Sequence, residues 1–369
     1  MRLLLLTIDF PPARGGVQGL LACLADGLAA TAEVTVVTGA AAGTAAWDRA
    51  RRYTVVRARP AGWGRPAGAG LQLRALVEIL RRRPDVVVCG HVLLGPVCRL
   101  AHALRGVPYV AFVYAYEIRA PRMQRLTRLA LGGARRVIAL SDFGRRAAQA
   151  HGVPPGRVAV LRPGAVLDAV GGGNDALETG ARVVLSVGRL VDAYKGHDMA
   201  IRAMPLILAR VPAARYVVVG GGPRRSYLER LAAALGVAGA VRFVGEIADD
   251  EVDRWYRRCD VFLLPAREDR ATGGAEGYGI VCVEAGLRGK PVVAGRSGGI
   301  PDAVIDGETG VLVDPLDPAE IADAVTRLLT EPDLAARLGR GGRRRASEDL
   351  AWPHSTGQLV RLLTEVAAE

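Results

Sequence analysis

Short runs of consecutive apolar residues recur along the chain, separated by longer stretches with a helical period. In the first half these runs are Arg2–Ile8, Glu33–Val37, Asp85–Cys89, Pro108–Val113 and Arg136–Leu140. Continuous β-branched runs without polar alternation are typical of parallel strands that helices cover on both faces. The intervening stretches with an amphipathic helical pattern include Val17–Ala30, Leu71–Arg82 and Gly95–Leu104. The first half is therefore predicted to be a doubly wound α/β domain.

The same alternation restarts after a polar, glycine-rich interval, Asp168–Ala181, which predicts a linker. The strands predicted beyond it are Arg182–Val187, Ala214–Val219, Val241–Val244, Val261–Leu264 and Pro291–Ala294. The helices predicted between and after them are Gly196–Arg210, Arg224–Leu235, Asp249–Arg258, Ile280–Leu287 and Pro318–Thr330. We expect two Rossmann-like domains facing across a cleft, residues 1–168 and 169–350, with a closing helix in residues 351–369. Ligands of such sheets bind beyond the carboxyl ends of the strands.

The charge of the chain is concentrated in its first half. Residues 1–168 hold 24 arginines and 9 acidic residues, whereas the remainder holds 25 basic and 28 acidic residues. A basic half predicts an anionic partner on that half. The arginines are not accompanied by a zinc-finger, RNP-type or helix-turn-helix pattern, so we do not expect nucleic acid. An anionic membrane surface fits better, and an arginine-rich genome acting on a solvated face is the alternative.

The segment Arg119–Leu131 is the candidate for membrane contact. From Pro121 onward it can form a helix in which Arg122, Arg125 and Arg128 recur every three residues. The neighbouring stripe would hold the apolar residues Met123, Leu126, Leu129 and Leu131. This layout is typical of a helix lying in a lipid headgroup layer, and an ordinary amphipathic surface helix is the alternative.

Cysteine usage and hydropathy indicate the compartment. The five cysteines are scattered without a CxxC pair, which favours a reducing cytoplasm and argues against a zinc site. No uncharged apolar run is as long as a membrane span. We expect a cytoplasmic protein, with peripheral contact at the inner face of the plasma membrane as the variant that the basic half suggests.

Two loops that follow predicted strands carry the candidate chemistry. Arg189 and Lys195 follow the first strand of the second half, just after Gly188. Glu276 precedes a predicted helix, and Glu284 lies within it among apolar residues. Cations can stabilise a departing diphosphate, and carboxylates can accept hydrogen bonds from sugar hydroxyls. Because no acidic pair stands at a strand end near this site, we expect fixed cations and no metal.

Two glycine-containing turns add candidate main-chain donors. Gly277, Tyr278 and Gly279 precede the helix that begins at Ile280, so the amides of this turn and the helix N-terminus can point at a ligand. In the first half, the loop Pro11–Val17 contains Gly15 and Gly16 and opens the first helix. Such a loop can bind a phosphate, although a plain tight turn explains it equally well.

These motifs, in this order, resemble those of retaining GT-B glycosyltransferases of family 4. The resemblance rests on Asp9–Gln18, Gly188–Gly196, Val219–Pro223, Glu276–Glu284 and Ser297–Asp302. The first and fourth of these segments are most similar to those of phosphatidylinositol-mannoside mannosyltransferases. The resemblance implies a GT-B fold, a nucleotide-sugar co-substrate, no cofactor and a hydroxyl acceptor.

The resemblance also implies roles for individual residues. Arg189 and Lys195 would bind the donor diphosphate, Glu284 the nucleotide ribose, and Glu276 the transferred sugar together with the amides of Gly277–Ile280. Gly16 would touch the phosphate from the first domain, and Gln18, Tyr114 and Glu117 would lie on the acceptor side. Many relatives carry a histidine in a His-Gly-x-Glu segment, where this chain has Tyr114-Ala115-Tyr116-Glu117. The acceptor side therefore departs from the family pattern.

The function expected from the sequence is metal-independent transfer of a hexose, with retention, from a nucleotide sugar. GDP-mannose is the favoured donor and a phosphatidylinositol-type glycolipid the favoured acceptor, both from the resemblance. One alternative is a UDP-sugar-dependent transferase with a soluble natural-product or polysaccharide acceptor. Others are a nucleotide-sugar epimerase, which needs no acceptor, and a non-catalytic sugar-nucleotide binder.

Overall fold

The computed structural model describes residues 1–13, 15–41, 43–58, 68–165 and 180–369. The chain divides into two compact units. The first unit comprises Met1–Pro163 together with Trp352–Glu369, and the second comprises Gly164–Ala351. The predicted boundary between residues 168 and 169 lies outside the described residues, as does most of the predicted linker.

A seven-stranded parallel sheet forms the centre of the described part of the first unit. Its strands are β1 (Arg2–Leu6), β2 (Glu33–Gly39), β3 (Thr54–Ala58), β4 (Val86–Cys89), β5 (Tyr109–Val113), β6 (Arg136–Ala139) and β7 (Val158–Val160). They lie in the order β3-β2-β1-β4-β5-β6-β7. Every residue of β4 and β5 is buried, as expected for central strands with helices on both faces.

Helices follow most of these strands. They are α1 (Gly16–Leu28), α2 (Ala45–Arg49), α3 (Ala69–Arg82), α4 (Gly95–Arg105), α5 (Tyr116–Arg119), α6 (Gln124–Gly132) and α7 (Asp142–Ala150). The core of this unit joins the apolar faces of α3 and α4 to the central strands, with Ala75, Ile79, Val97 and Cys98 all buried. The first half of the chain therefore has the predicted doubly wound architecture.

The second unit repeats the theme with a six-stranded parallel sheet within the described residues. Its strands are β8 (Arg182–Val187), β9 (Ala214–Val219), β10 (Val241–Gly245), β11 (Val261–Leu264), β12 (Val292–Gly295) and β13 (Gly310–Val313). Their order is β10-β9-β8-β11-β12-β13. Its helices are α8 (His197–Arg210), α9 (Arg225–Ala234), α10 (Asp249–Arg258), α11 (Ile280–Leu287), α12 (Ile300–Ala303), α13 (Pro318–Thr330) and α14 (Pro332–Glu348).

The last helix, α15 (Trp352–Ala368), returns to the first unit. The Ser355 hydroxyl donates to the main-chain oxygen of Arg162 at 2.7 Å. The Thr356 side chain lies against Gly27 of α1, at a distance that leaves no room for a Cβ there. The predicted closing helix therefore exists, and it completes the packing of the first unit.

The strand order determines where the candidate residues lie. In a parallel sheet all carboxyl ends share one edge, and β8 lies between β9 and β11. The loops after these strands therefore come together although they are far apart in sequence. Main-chain hydrogen bonds link the loop after β8 to the loop after β9. The Leu190 amide donates to the Gly221 carbonyl at 2.7 Å, and the Arg224 amide donates to the Leu190 carbonyl at 3.0 Å.

Candidate active site at the carboxyl edge of the second sheet

Lys195 and Glu276, 81 residues apart in the chain, form an ion pair. The Lys195 Nζ lies 2.5 Å from the Glu276 Oε2, and the two side chains are 19% and 15% exposed. Burial alone would lower the pKa of Lys195, but the Glu276 carboxylate outweighs it and raises that pKa above its ordinary value. The structure thus brings together Lys195, which was predicted to bind the diphosphate, and Glu276, which was predicted to bind the sugar. Because its pKa is raised, Lys195 stays protonated throughout the physiological pH range.

Arg189 provides the second cation of this edge. Its side chain is exposed, and within the described part of the chain no carboxylate forms an ion pair with it. Its charge lies close enough to Lys195 to oppose protonation there. Glu276 compensates Lys195, whereas within the described residues no carboxylate compensates the charge of Arg189.

The lysine loop is positioned by a close main-chain approach. Gly196 adopts a φ of +78°, and a Cβ at this position would collide with the Pro265 carbonyl. Any other residue would push the loop after β8 away from the loop after β11. Directly beyond, Asp198 in α8 forms two bonds of 2.9 Å with the guanidinium of Arg267. These contacts hold the loop that carries Glu276 against the start of α8.

A buried chain of hydroxyl groups lies beneath the same loop. The Tyr216 hydroxyl donates to Ser186 Oγ at 2.9 Å, and Ser186 donates to the Leu263 carbonyl at 2.5 Å. Since Tyr216 has only one proton to give, His197 Nδ1 must be the donor in its 3.1 Å bond to the Tyr216 hydroxyl. Burial lowers the pKa of His197 to about 4, and nearby Lys195 opposes protonation further, so this ring is neutral. The chain connects β8, β9 and β11 to the first residue of α8.

Glu284 is the fifth of the eight residues of α11 and is half-buried, as its apolar neighbours in the sequence predict. Its Oε2 accepts a bond of 2.7 Å from the Tyr256 hydroxyl of α10. A buried carboxylate needs a partner, and a hydroxyl group provides one here. Tyr256 is not among the residues that the sequence motifs predict for this site. The signal in the sequence was that Tyr256 follows Asp253 by one turn on the apolar face of an amphipathic helix. Polar groups on such a face require hydrogen-bond partners, which indicates that Tyr256 contacts another polar residue.

The turn that precedes α11 is shaped for main-chain contact. Gly279 has a φ of +97° and immediately precedes the first helical residue, Ile280. Tyr278 as a whole is only 1% exposed, so its side chain is packed within the second unit. The Glu276 carbonyl accepts the Gly299 amide at 2.8 Å, which ties this turn to the loop after β12. The predicted donors of Gly277–Ile280 thus lie beside the Lys195–Glu276 pair.

In the first unit, the loop after β1 leads into α1 as predicted. Gly16 is its first helical residue and is exposed, and the Gln18 side chain folds back over Gly15. Arg57, at the end of β3, donates to the Pro11 carbonyl at 2.5 Å and forms an ion pair with Asp48. Neither β3 nor Arg57 was predicted from the sequence, and the contact of Arg57 with Pro11 fixes the start of the loop.

The remaining acceptor-side candidates point into the first unit. The Tyr114 hydroxyl donates to the Gly90 carbonyl at 3.0 Å, and the Glu117 Oε1 accepts the Tyr114 amide at 2.8 Å. Glu117 is 3% exposed, and burial raises its pKa to about 7. Tyr114 and Glu117 therefore join the ends of β4 and β5, and their polar atoms are used within the fold.

The candidate membrane segment is helical from Pro121 onward, with a single 3-10 turn before α6. Arg122, Arg125 and Arg128 are exposed, and Leu129 is 39% exposed. Leu131 differs from the expectation, because it is buried and packs into the core of the first unit. The exposed face therefore retains the three arginines and a shorter apolar stripe.

The described residues contain no group of three or more histidine, cysteine, aspartate or glutamate side chains placed to hold a metal ion. Among those residues, no helix combines the length and hydropathy needed to cross a membrane.

Comparison with known proteins identifies both halves of the chain. Residues 174–345 match the family "Glycosyl transferases group 1", and residues 15–164 match the "Glycosyl transferase 4-like domain". The chain is 37% identical, over 388 aligned positions and 98% of both chains, to the GDP-mannose-dependent alpha-(1-6)-phosphatidylinositol monomannoside mannosyltransferase of Mycolicibacterium smegmatis. It is 35% identical to a D-inositol 3-phosphate glycosyltransferase of Thermomonospora curvata, over 63% of this chain and 57% of that protein.

Solved structures confirm the fold. Sucrose-phosphate synthase from Thermosynechococcus elongatus superimposes with a TM-score of 0.81 at 23% identity, covering 100% of this chain and 99% of that one. Anabaena HepE in complex with UDP-glucose gives 0.78 at 21% identity, covering 99% and 100%. At these identities the likeness concerns the fold alone. Together with the family matches, it shows that the chain belongs to the family 4-like glycosyltransferases of the GT-B fold and is a hexosyltransferase.

Proposed function

We propose that the chain transfers mannose from GDP-mannose, with retention of configuration, to a hydroxyl group of a phosphatidylinositol-type glycolipid. The observation that carries the proposal is the grouping of Arg189, Lys195, Glu276 and Glu284 at one sheet edge in a chain similar over its whole length to a mannosyltransferase that uses GDP-mannose. We place this reaction on the cytoplasmic side of the membrane.

The charges of the site suit a sugar diphosphate. Arg189 would meet the diphosphate first, and Lys195 would then share its ammonium between Glu276 and a phosphate oxygen. Glu276 would accept hydrogen bonds from the hexose hydroxyls and Glu284 from the ribose hydroxyls. The amides that precede α11 would face the sugar. Fixed cations stabilise charge on the leaving group, so we expect transfer to proceed in EDTA.

The proposed transfer step uses the leaving group as the base. The bond between the anomeric carbon and the β-phosphate oxygen breaks, and the acceptor oxygen bonds to that carbon from the same face. The acceptor proton passes to the departing phosphate oxygen, so GDP leaves with the proton. Arg189 and Lys195 lower the energy of the charge that develops on GDP, which is the largest contribution that a preorganised site can make.

The first unit would bind the acceptor. Gln18 lies in the first turn of α1 and would contact the acceptor there. Tyr114 and Glu117 would act there by shaping the loops after β4 and β5, since their polar atoms are bonded internally. The exposed residues Arg122, Arg125 and Arg128, in α6 and the turn before it (together the α6 segment), would contact anionic lipid around the acceptor.

The donor and the reaction type can be tested together. The purified protein is incubated with GDP-mannose, UDP-glucose or UDP-N-acetylglucosamine, with and without phosphatidylinositol monomannoside, in EDTA. We expect a mannosylated lipid only with GDP-mannose and acceptor. If only a UDP-sugar supported turnover, and GDP-mannose did not, the GDP-mannose assignment would be refuted. Formation of an epimerised sugar nucleotide in the absence of acceptor would identify the protein as an epimerase. A strict requirement for Mg²⁺ or Mn²⁺ would refute the fixed-cation mechanism.

Membrane contact requires its own experiment. We expect the protein to sediment with vesicles containing anionic phospholipid, to be released by salt, and to bind less when Arg122, Arg125 and Arg128 are replaced by glutamine. A matched control replaces Arg340, Arg343 and Arg344, which are exposed in α14 of the second unit. Equal binding to neutral and anionic vesicles, or equal losses in both triple variants, would contradict the assignment to the α6 segment.

A further inference from the structure

Glu284 is held in place by a residue that lies outside the expected donor site. Tyr256, on α10, is 1% exposed, and its hydroxyl lies 2.7 Å from the Glu284 Oε2. Burial, and then the negative charge of Glu284, raise the pKa of Tyr256 well above its ordinary value. The tyrosine therefore stays protonated, and its hydroxyl donates a hydrogen bond to the Glu284 carboxylate.

A second contact reaches the main chain of the same glutamate. Arg288, one residue beyond α11, donates from Nη1 to the Glu284 carbonyl at 2.9 Å. Its Nε donates to the Asp253 Oδ1 at 2.5 Å, in an ion pair whose side chains are 4% and 0% exposed. The guanidinium lies 4.9 Å from the centre of the Tyr256 ring. Asp253, Tyr256 and Arg288 thus form one buried cluster, which contacts Glu284 at its side chain and its main chain.

Packing alone does not explain this polar cluster. A phenylalanine would fill nearly the same space as Tyr256, whose ring already packs against Phe262 of β11 with the ring centres 5.5 Å apart and the planes tilted by 33°. Buried ion pairs add little net stability compared with apolar residues of the same size. What the cluster provides is a fixed direction for Glu284, whose flexible side chain would otherwise have to be ordered when a ligand binds.

We propose that Tyr256, supported by the Asp253–Arg288 pair, presets the Glu284 carboxylate to receive the ribose hydroxyls of the donor nucleotide. Tyr256 acts through Glu284, and is therefore a positioning residue. The inference rests on the proposed function, because it takes Glu284 as the ribose ligand. A carboxylate oxygen can accept more than one hydrogen bond, so the bond from Tyr256 orients the group without preventing ligand contact.

The test compares Tyr256→Phe with the parent. Calorimetry with GDP and with UDP gives the dissociation constant of the nucleotide, and steady-state kinetics give KM and kcat. We expect about a ten-fold weaker affinity for the diphosphate that the parent prefers, as for the loss of one hydrogen bond to a charged group. The donor KM should rise similarly while kcat stays within about two-fold, because ribose contacts are common to ground state and transition state.

Tyr109→Phe is the matched control, since it removes a buried hydroxyl group from the first unit, where Tyr109 donates to the Ala130 carbonyl at 2.7 Å. This variant should bind nucleotide like the parent. Arg288→Lys is a second, independent variant. It retains a charge beside Asp253 but loses the guanidinium geometry that reaches the Glu284 carbonyl, and it should also weaken nucleotide binding.

A double-mutant cycle separates positioning from a general loss of structure. In a Glu284→Gln background, Tyr256→Phe should cause little further loss of affinity, because the charged acceptor has gone. Full additivity, or parental affinity in Tyr256→Phe, would overturn the inference while leaving the donor site intact. If Glu284→Gln itself binds GDP and UDP like the parent, the ribose assignment fails. A parent that binds neither diphosphate would overturn the proposed donor site and this inference with it.

Discussion

We expect the Lys195–Glu276 pair to make two separable contributions, one to stability and one to transfer. Consider Lys195→Met, which keeps most of the side-chain volume and leaves Glu276 without its counter-ion. At 2.5 Å and an effective dielectric constant of about 20, the attraction is about 7 kcal/mol. The desolvation of two mostly buried groups offsets most of this attraction, so we expect a net loss of about 2 kcal/mol.

Thermal unfolding measures the first contribution. For a unit of this size, about 2 kcal/mol corresponds to a fall in Tm of about 4–8 °C. The double variant Lys195→Met/Glu276→Gln removes the uncompensated charge and should recover most of that fall. The folded-state pKa of Lys195 is raised, so the contribution of the pair is fully present below the ordinary lysine pKa of about 10.4 and is lost only as the pH rises further. The Tm difference should therefore be constant between about pH 7 and 9.

Steady-state kinetics measure the second contribution. Both variants should lose at least about a hundred-fold in kcat, as when one preorganised group is removed from a developing negative charge. Lys290→Met is the matched control, since this lysine precedes β12 at the amino end of the same sheet. A single variant that melts like the parent would refute the stability argument. A double variant with parental turnover would refute a role for either group in transfer.

Three further predictions concern single residues. Arg189→Gln should weaken GDP binding and reduce turnover by about a hundred-fold. Arg182→Gln, at the amino end of strand β8, should change neither, and equal effects of the two substitutions would refute a role for Arg189 in donor binding. Glu284→Gln should mainly raise the GDP dissociation constant, and Glu276→Gln should mainly lower kcat. If both variants behaved like the parent in calorimetry and kinetics, the two carboxylates would have only a structural role. Burial raises the folded-state pKa of Glu117 to about 7, so its protonated form stabilises the protein below about pH 4.3 and this contribution is lost as the pH rises through 7. Glu117→Gln should therefore raise the Tm more at pH 8 than at pH 5, and a pH-independent Tm difference would contradict this.

The local structure around the candidate site in the second unit could be predicted from the sequence because short sequence signals determine it. A run of apolar residues with a glycine turn in front predicted α11 as Ile280–Leu287, and the structure has the same bounds. It also places Glu276 before that helix and Glu284 within it. What the sequence could not show is that Lys195 and Glu276 pair, or that Tyr256 binds Glu284. Those contacts join loops and helices that only the strand order of the sheet brings together.

The missed helix α14, Pro332–Glu348, has a different explanation. Its segment Gly339–Arg345 is rich in glycine and arginine, a composition that favours a loop on intrinsic propensity. In the structure a Cβ at Gly342 would lie 3.1 Å from the Cα of Gly286 in α11. The glycines allow the two helices to pack closely, and this tertiary contact outweighs the low helix propensity. Tyr114 is a similar case, because nothing local shows that its hydroxyl bonds to Gly90.

The return of α15 to the first unit determines the order in which the protein can be assembled during synthesis. Residues 164–351 form a contiguous unit, whereas the first unit lacks the helix α15 until residues 352–369 have left the ribosome. Until then the surface of α1 around Gly27, which Thr356 covers in the finished protein, has no partner. The first unit is thus completed only after the whole of the second unit has been synthesised, and the nascent protein must keep its basic half soluble while the second unit folds.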